Sequence, residues 1–92
     1  MTRYEVFISE TARKQLRALR EKVRKRIKKA LLEIREDPFR SQAGANIKKL
    51  KGPKRDYYRL RLGDYRVIYT VKGTGIMVVK ILHRRRAYSW LE

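Results

Sequence analysis

The dipeptide Gly63-Asp64 separates two runs of alternating residues, 57–62 and 65–71, and this pattern constrains the fold more than any other part of the chain. A two-residue Gly-Asp connection between strand-like runs predicts a tight β-hairpin. If these two residues form the turn, Leu62 faces Tyr65, and each earlier residue faces a defined partner across the hairpin. The sequence therefore predicts both the two strands and their register.

This register gives the hairpin two unlike faces, because side chains alternate along a strand. One face is apolar and aromatic, and we expect it to lie under helices; its residues are Tyr58, Leu60, Leu62, Tyr65, Val67, Tyr69 and Val71. The other face gathers Arg59, Arg61 and Arg66, with Arg61 opposite Arg66. Like charges opposite each other destabilise a sheet, whereas guanidinium groups bind a phosphate with paired hydrogen bonds. We therefore predict an anion-binding site here; a merely solvated outer face is the alternative.

The net charge of the chain indicates the class of its binding partner. Lys and Arg number 26 against 9 Asp and Glu, a formal net charge of +17 over 92 residues. Such an excess favours a polyanion, above all a nucleic-acid backbone. The chain has no Cys, which excludes disulfides, thiolate catalysis and Cys-based zinc sites, and its single histidine, His83, cannot form an all-histidine metal site. We expect no metal and no cofactor.

Length and hydropathy predict one domain. Ninety-two residues allow a single modest core, so residues 1–92 are expected to form one domain. The first residues contain no apolar signal core, and no apolar run approaches the roughly 20 residues of a membrane span. We therefore expect a cytoplasmic protein with no membrane association.

The rest of the chain predicts helices followed by one more strand. Residues 3–9 alternate like a strand, and Ser9 is placed to cap a helix. Apolar residues at helical spacing then predict two helices, or one broken near residues 20–22, ending at Asp37-Pro38. Residues 39–56 show no clear period and predict a long loop with room for a short helical turn. A strand over 76–83 completes an α+β fold: an N-terminal strand, two helices and a three-stranded antiparallel meander, with the helices on one face of the sheet.

The end of the third meander strand is ambiguous in register. A four-residue turn over 72–75 would put Ile81 and His83 on the arginine face and send Lys80 and Arg84 to the core side. Burying a charge is costly, so we expect a β-bulge or a frayed strand end. Spacing does not decide which of Arg84, Arg85 and Arg86 faces the site. His83 is either a general acid/base or a residue that closes the strand.

Several motifs resemble the RelE/ParE superfamily of toxins from type II toxin-antitoxin systems, and RelE more closely. They are Leu50-Lys51-Gly52, the run 58–62, the string Gly-Asp-Tyr-Arg-Val-Ile-Tyr over 63–69, and His83-Arg84 through Tyr88. The resemblance spans the whole chain in element order. It implies the RelE-like microbial RNase fold and a metal-independent endoribonuclease that enters the ribosomal A site, cuts mRNA and inhibits translation. The message's own 2′-hydroxyl would attack the adjacent phosphate and leave a cyclic phosphate.

Carried over by position, the resemblance implies catalytic roles for Arg59, Arg61, Arg66, Arg84 and Tyr88. Arginine stands at two of these positions, 59 and 61, where the type member has lysine. Because arginine stays protonated, it can hold the scissile phosphate but cannot readily act as a base. Proton transfer would then pass through Tyr88 or His83, or be left to ribosomal RNA and water. Tyr88 also follows a shorter spacer than in the type member. Further RNA contacts are expected from Lys49, Lys51, Lys54, Arg55, Arg85 and Arg86.

The implied partners are the ribosome, mRNA and a small acidic RelB-like antitoxin, joined to the toxin in a hetero-oligomer. Two other functions stay open. One is a ParE-like protein that inhibits DNA gyrase by binding it, with no chemistry of its own. The other is a plain nucleic-acid-binding module whose arginines only neutralise phosphates.

Overall fold

The computed structural model of the protein describes residues 3–41 and 46–86. In chain order the elements are β1 (Glu5–Ile8), α1 (Glu10–Arg17), α2 (Glu21–Glu33), β2 (Asn46–Lys51), β3 (Asp56–Leu62), β4 (Tyr65–Lys72) and β5 (Gly75–His83). The five strands form one sheet in the order β1-β5-β4-β3-β2. The β1–β5 pair is parallel and the other pairs are antiparallel. The predicted α+β class is confirmed.

The hairpin of β3 and β4 has the predicted register. Leu62 pairs with Tyr65, Arg61 with Arg66 and Arg59 with Ile68. Gly63 begins the turn with φ +57°, a conformation that glycine adopts without steric cost. Most of the apolar face of the hairpin is buried in a hydrophobic core together with residues of α1 and α2; the buried residues are Tyr58, Leu60, Leu62, Val67 and Tyr69. Val71 packs against this core, and Tyr65 is only partly buried.

The two helices begin close to where the sequence predicts. The Ser9 hydroxyl accepts a hydrogen bond from the Ala12 amide at 3.1 Å, so the predicted N-cap of α1 is confirmed. The break between α1 and α2 falls at residues 18–20. Helix α2 ends at Glu33, earlier than the predicted stop at Asp37-Pro38, and the Ile34 and Pro38 side chains that follow it are fully buried. Among the described residues, no helix combines the length and apolar character needed to cross a bilayer.

The prediction of a loop over residues 39–56 is wrong for residues 46–51, which form the edge strand β2 along β3. Its two apolar residues lie on opposite faces, since Ile47 pairs with Leu60 and Leu50 pairs with Tyr57. The sequence therefore shows no alternation to reveal the strand. Backbone pairing with β3 forms it, and its lysines are typical of an exposed sheet edge.

The turn before β5 is shorter than the predicted four residues. Lys72 pairs with Gly75, so only residues 73 and 74 connect β4 to β5. The predicted bulge is confirmed: Tyr69 pairs with Val78 and Ile68 with Lys80, which leaves residue 79 as the extra residue. The bulge reverses the facing of the rest of β5, so that Lys80 escapes burial in the core.

Helix α1 satisfies the backbone of β5 at and beside this bulge. The Ser9 hydroxyl donates to the Val79 carbonyl at 3.0 Å, and the Ile81 amide donates to Oε1 of Gln15 at 2.8 Å. Backbone groups that leave a ladder must find partners elsewhere if they are buried. Two side chains of the N-terminal segment thus hold the C-terminal strand in its shifted register.

Candidate nucleic-acid interface

The sheet face turned away from the helices carries a cluster of cations from four neighbouring strands. Pairing across the sheet places Lys48 beside Arg59, Arg61 beside Arg66, and Ile68 between Arg59 and Lys80. Directly opposite residues of an antiparallel pair have Cβ atoms about 4.5–5.5 Å apart. We call the five charged residues the cationic face: Lys48, Arg59, Arg61, Arg66 and Lys80.

The sequence predicts only part of this face. The shared face of Arg59, Arg61 and Arg66 is confirmed by the register. Lys48 is not predicted, because residues 46–51 show no strand alternation. Lys80 is not predicted as a site residue, because its direction depends on the exact position of the bulge. The cost of burying its charge predicts that a bulge exists, and the structure supplies the position.

The three arginines are held to different degrees. Arg66 is only 8% exposed, and its Nη1 donates to the carbonyls of Gly63 at 2.8 Å and Tyr65 at 2.9 Å. These bonds fix one guanidinium at the hairpin turn. Arg61 lies directly opposite and is exposed. Its side chain has no hydrogen-bond or ion-pair partner among the described residues. A fixed cation therefore lies beside one that can reach a ligand.

Arg59 lies two residues before Arg61 on β3, on the same face, and is partly buried. Its Nη2 donates to Oδ1 of Asn46 at 3.4 Å, while its buried Nε has no hydrogen-bond partner within the described residues. Buried polar groups without a partner are rare in folded proteins and are associated with function or with an absent ion. The orphan donor therefore fits a face that binds an anion.

Among the described residues, one ion pair, between Arg84 and Asp64, lies at the hairpin-turn end of the sheet. Nε of Arg84 lies 3.8 Å from Oδ1 of Asp64, and the Arg84 amide donates to the Asp64 carbonyl at 2.7 Å. Both side chains of that ion pair are more than half exposed, so it contributes little stability. Arg84 therefore lies at the hairpin turn, at the same end as Arg61 and Arg66. Across residues 3–41 and 46–86, His, Cys, Asp and Glu do not gather in groups of three that could hold a metal ion.

His83 lies on the other face of the sheet, which corrects the placement that the unbulged register predicts. It pairs with Tyr65, and the two rings meet edge to face with centroids 5.6 Å apart. Tyr65 belongs to the face that carries the helices. The Nδ1 atom of His83 accepts a hydrogen bond from the Arg85 amide at 3.4 Å. The described geometry thus favours a structural role for His83 rather than proton transfer at the cationic face.

The remaining predicted RNA-binding residues lie at the two ends of the sheet and on its edge strand. Arg85 and Arg86 are exposed just after β5, next to Arg84. Lys54 and Arg55 are exposed at the opposite end, before β3. Lys49 and Lys51 are exposed on the edge strand, and Lys49 forms a 3.3 Å ion pair with Asp56. Tyr88 lies outside the described residues, so its catalytic role stays a prediction.

Comparison with known proteins decides the family. The chain matches the family described as "ParE toxin of type II toxin-antitoxin system, parDE" over residues 6–88. It is also 34% identical over 86 residues to Toxin RelE3 of Methanocaldococcus jannaschii, a match that covers 94% of this chain and 97% of that protein. The chain belongs to the RelE/ParE toxin superfamily.

Solved structures agree with the RelE side of this superfamily. The RelE-RelB complex of Pyrococcus horikoshii OT3 contains a chain that matches with a TM-score of 0.78 and 34% identity, covering 94% of this chain and 99% of that one. The RelB-RelE antitoxin-toxin complex of Methanococcus jannaschii matches with a TM-score of 0.73 and 32% identity, covering 91% and 96%. The predicted RelE-like fold is confirmed, and the protein is a toxin of the RelBE type.

Proposed function

We propose that this RelE-like toxin is a metal-independent endoribonuclease that cuts mRNA in the ribosomal A site and so inhibits translation. The observation that supports it is the direct pairing of Arg61 with Arg66. Two guanidinium groups opposite each other cost stability unless an anion lies between them. An RNA phosphodiester fits that position in charge and in hydrogen-bond geometry.

The cationic face suits a reaction in which the RNA supplies its own nucleophile. The 2′-hydroxyl oxygen attacks the adjacent phosphorus, and the bond from phosphorus to the 5′-oxygen breaks. The products are a cyclic phosphate and a free 5′-hydroxyl, after one proton leaves the 2′-oxygen and another reaches the 5′-oxygen. Arg59 and Arg61 donate to the phosphate oxygens as charge builds on them, while Arg66 holds the pocket rigid. The proton transfers fall to Tyr88, or to ribosomal RNA and water.

The buried Nε of Arg59, which has no hydrogen-bond partner among residues 3–41 and 46–86, favours the binding of a phosphate at this site. A buried donor without a partner costs about 1–3 kcal/mol. A phosphate beside β3 would let the guanidinium turn and pair that donor, so binding recovers part of the cost. If the arginines of this face served only solubility, their N–H groups would be expected to remain exposed to water.

We propose that the toxin acts in the cytoplasm and is neutralised there by a small acidic antitoxin in a hetero-oligomer. The two solved relatives named above are complexes of RelE with RelB. The net charge of +17 favours an acidic segment that folds as it wraps the domain. Co-expression with an acidic neighbouring reading frame should recover both chains in one pull-down. Recovery of the toxin alone would contradict this part of the proposal.

A ParE-like inhibitor of DNA gyrase is the second candidate, because the matching family is described by the name ParE. It shares the fold and the hairpin motif but needs no catalytic chemistry. It predicts DNA-damage signals after induction while the mRNA stays intact. A plain nucleic-acid-binding module predicts salt-dependent RNA binding without cleavage products.

Mapping of mRNA 5′ ends in a translation extract, with and without the protein, separates these functions. Arg61→Gln should lower the cleavage rate by about 100-fold or more, the effect of removing one charge-stabilising donor. Arg61→Lys keeps a cation at this position and should retain much of the activity. Arg13→Gln, on the exposed surface of α1, is the matched control and should cleave like the parent. A folded Arg61→Gln protein that cleaves at the parent rate would contradict the proposal.

A further inference from the structure

Two large apolar side chains stand side by side on the open sheet face, at the end away from the hairpin turn. Phe7 on β1 is 49% exposed and Met77 on β5 is 39% exposed. Phe7 pairs with Met77, which in turn pairs with Thr70 on β4. A sheet face open to water is normally polar, so adjacent exposed Phe and Met side chains indicate a surface that binds something.

A cavity of about 320 Å³ lies over this surface, and its walls combine apolar and cationic side chains. It is lined by Phe7, Met77, Gly75, Thr70, Arg55 and Lys72. A second cavity of about 370 Å³ shares Arg55, Thr70 and Lys72 with the first and is otherwise lined by Lys54, Asp56, Tyr58 and Val71. Both are within the size range of ligand sites, roughly 300–1,000 Å³.

The Phe7 ring lies beside residue 75 of β5. Its Cε2 and Cδ2 atoms lie 3.5 and 3.8 Å from the position that a Cβ of residue 75 would occupy, which is an ordinary van der Waals distance. The ring is therefore supported on the side of β5, while Phe7 remains 49% exposed. An aromatic ring braced on one side and exposed on the other is suited to stacking on a flat partner.

We propose that this surface is a second RNA subsite, in which an unpaired base stacks on Phe7 while Arg55 and Lys72 hold the neighbouring phosphate. Aromatic side chains on an open sheet with cations beside them are a recurring way to bind single-stranded RNA. The inference rests on the proposed function, because it takes the message as the ligand. It adds a site that binds the message at a distance from the scissile phosphate.

Charge and position favour RNA over a protein as the occupant. Lys54, Arg55 and Lys72 surround the cavities, and the one carboxylate in their walls, Asp56, is already paired with Lys49 at 3.3 Å. Glu5 is exposed on the same face as Phe7, opposite Gly75, but does not line the cavity.

The subsite also continues the cationic face along β4. Thr70 lies four residues after Arg66, which is about 13 Å along a strand. Ile68, between them on the same face, is fully buried, so an RNA strand held at Arg61 and Arg66 would reach Phe7 by passing over the side chains around Ile68 rather than by contacting it. The position of the subsite favours contact with nucleotides that flank the cleaved bond.

Binding of a fluorescent oligoribonucleotide with 2′-O-methyl groups tests this subsite without cleavage, because the nucleophile is blocked. Phe7→Leu should weaken binding by about tenfold, the value of one base–aromatic stack, while Phe7→Trp keeps the affinity. Arg55→Gln combined with Lys72→Gln should weaken binding and lower the slope of log affinity against log salt by about 0.7 per lost phosphate contact. Matched controls are Leu32→Ala, an exposed apolar residue on α2, and Lys28→Gln with Lys29→Gln.

Each outcome decides for or against the subsite. Losses at Phe7 and at the Arg55/Lys72 pair, with unchanged controls, support it. Parent-like RNA affinity in both variants overturns it, and so does a defect confined to binding of the acidic partner protein, since the surface would then belong to that partner. Cleavage assays separate this result from the proposed function. If the parent protein binds RNA through Phe7 but leaves mRNA intact, the nuclease proposal is refuted and the subsite stands. If the protein cleaves mRNA and its RNA binding does not depend on Phe7, the subsite is refuted and the nuclease proposal stands.

Discussion

Replacement of Gln15 by leucine tests how the N-terminal helix holds β5 in register. Oε1 of Gln15 accepts the Ile81 amide at 2.8 Å, two residues after the bulge that turns Lys80 onto the cationic face. Leucine has a similar volume but no acceptor. Gln15→Leu therefore leaves the Ile81 N–H, in a residue that is 4% exposed, without its partner.

The expected loss of stability follows from the free-energy cost of a buried donor without a partner, about 1–3 kcal/mol. Gln15 itself is half-buried, so water can partly replace the lost acceptor, and we expect the free energy of unfolding to fall by about 1.5 kcal/mol. For a domain of this size, that corresponds to a drop in Tm of roughly 6–12 °C. Gln15→Glu keeps an acceptor oxygen and should stay close to the parent.

Urea denaturation gives the free energy, and hydrogen exchange of the Ile81 amide reports the bond itself. Gln15→Leu should be less stable and its Ile81 amide should exchange faster, while Gln15→Glu and the exposed control Lys14→Ala should change neither. If Gln15→Leu stayed within about 0.5 kcal/mol of the parent, the range of an ordinary surface substitution, and its Ile81 amide remained protected, the bond would not hold the bulge.

Two further predictions concern the core and the hairpin turn. Tyr69 donates to the Pro38 carbonyl at 2.6 Å, and burial, with smaller effects from Tyr58 and Asp37, raises the pKa of its hydroxyl. Ionisation of Tyr69 is therefore easier in the unfolded chain, so its contribution to stability is complete below pH about 10 and declines as the pH rises further. Urea titrations should show a shallower alkaline loss for Tyr69→Phe, and equal slopes would count against the burial argument. Gly63→Ala places a Cβ at φ +57°, 3.1 Å from Nη1 of Arg26, and should cost about 1–2 kcal/mol. Gly73→Ala has nearly the same φ, +59°, with open space around it, so an equal loss of stability in both variants would show that Arg26 moves aside freely.

The β3–β4 hairpin shows how much of the site can be predicted from local sequence. Gly63 and Asp64 set the turn, alternation set the two faces, and together they predicted that Arg61 would lie opposite Arg66. All of these signals lie within about fifteen residues, where turn chemistry and strand geometry leave few alternatives.

The errors lie where distant segments meet. Strand β2 contains two apolar residues on opposite faces, and only the free edge of β3 makes it a strand. An unbulged register puts His83 on the cationic face, whereas the bulge at residue 79 puts it on the other face. Exposure of Phe7 beside Met77 depends on the parallel pairing of β1 with β5, which joins strands from the two ends of the chain.

Local turn chemistry and strand alternation were thus sufficient to predict the hairpin with its paired arginines, and the excess of cations predicted an anionic partner. The toxin family was predicted from the motifs that resemble RelE. Turn chemistry and alternation act between neighbours along the chain, and the hydrophobic pattern leaves one way to bury the hairpin. Tertiary contacts stabilise the shift in β5, since Ser9 donates to the Val79 carbonyl and Gln15 accepts from the Ile81 amide where the ladder cannot. That shift decides which side chains of β5 join the cationic face, because a single inserted residue reverses the facing of every side chain after it.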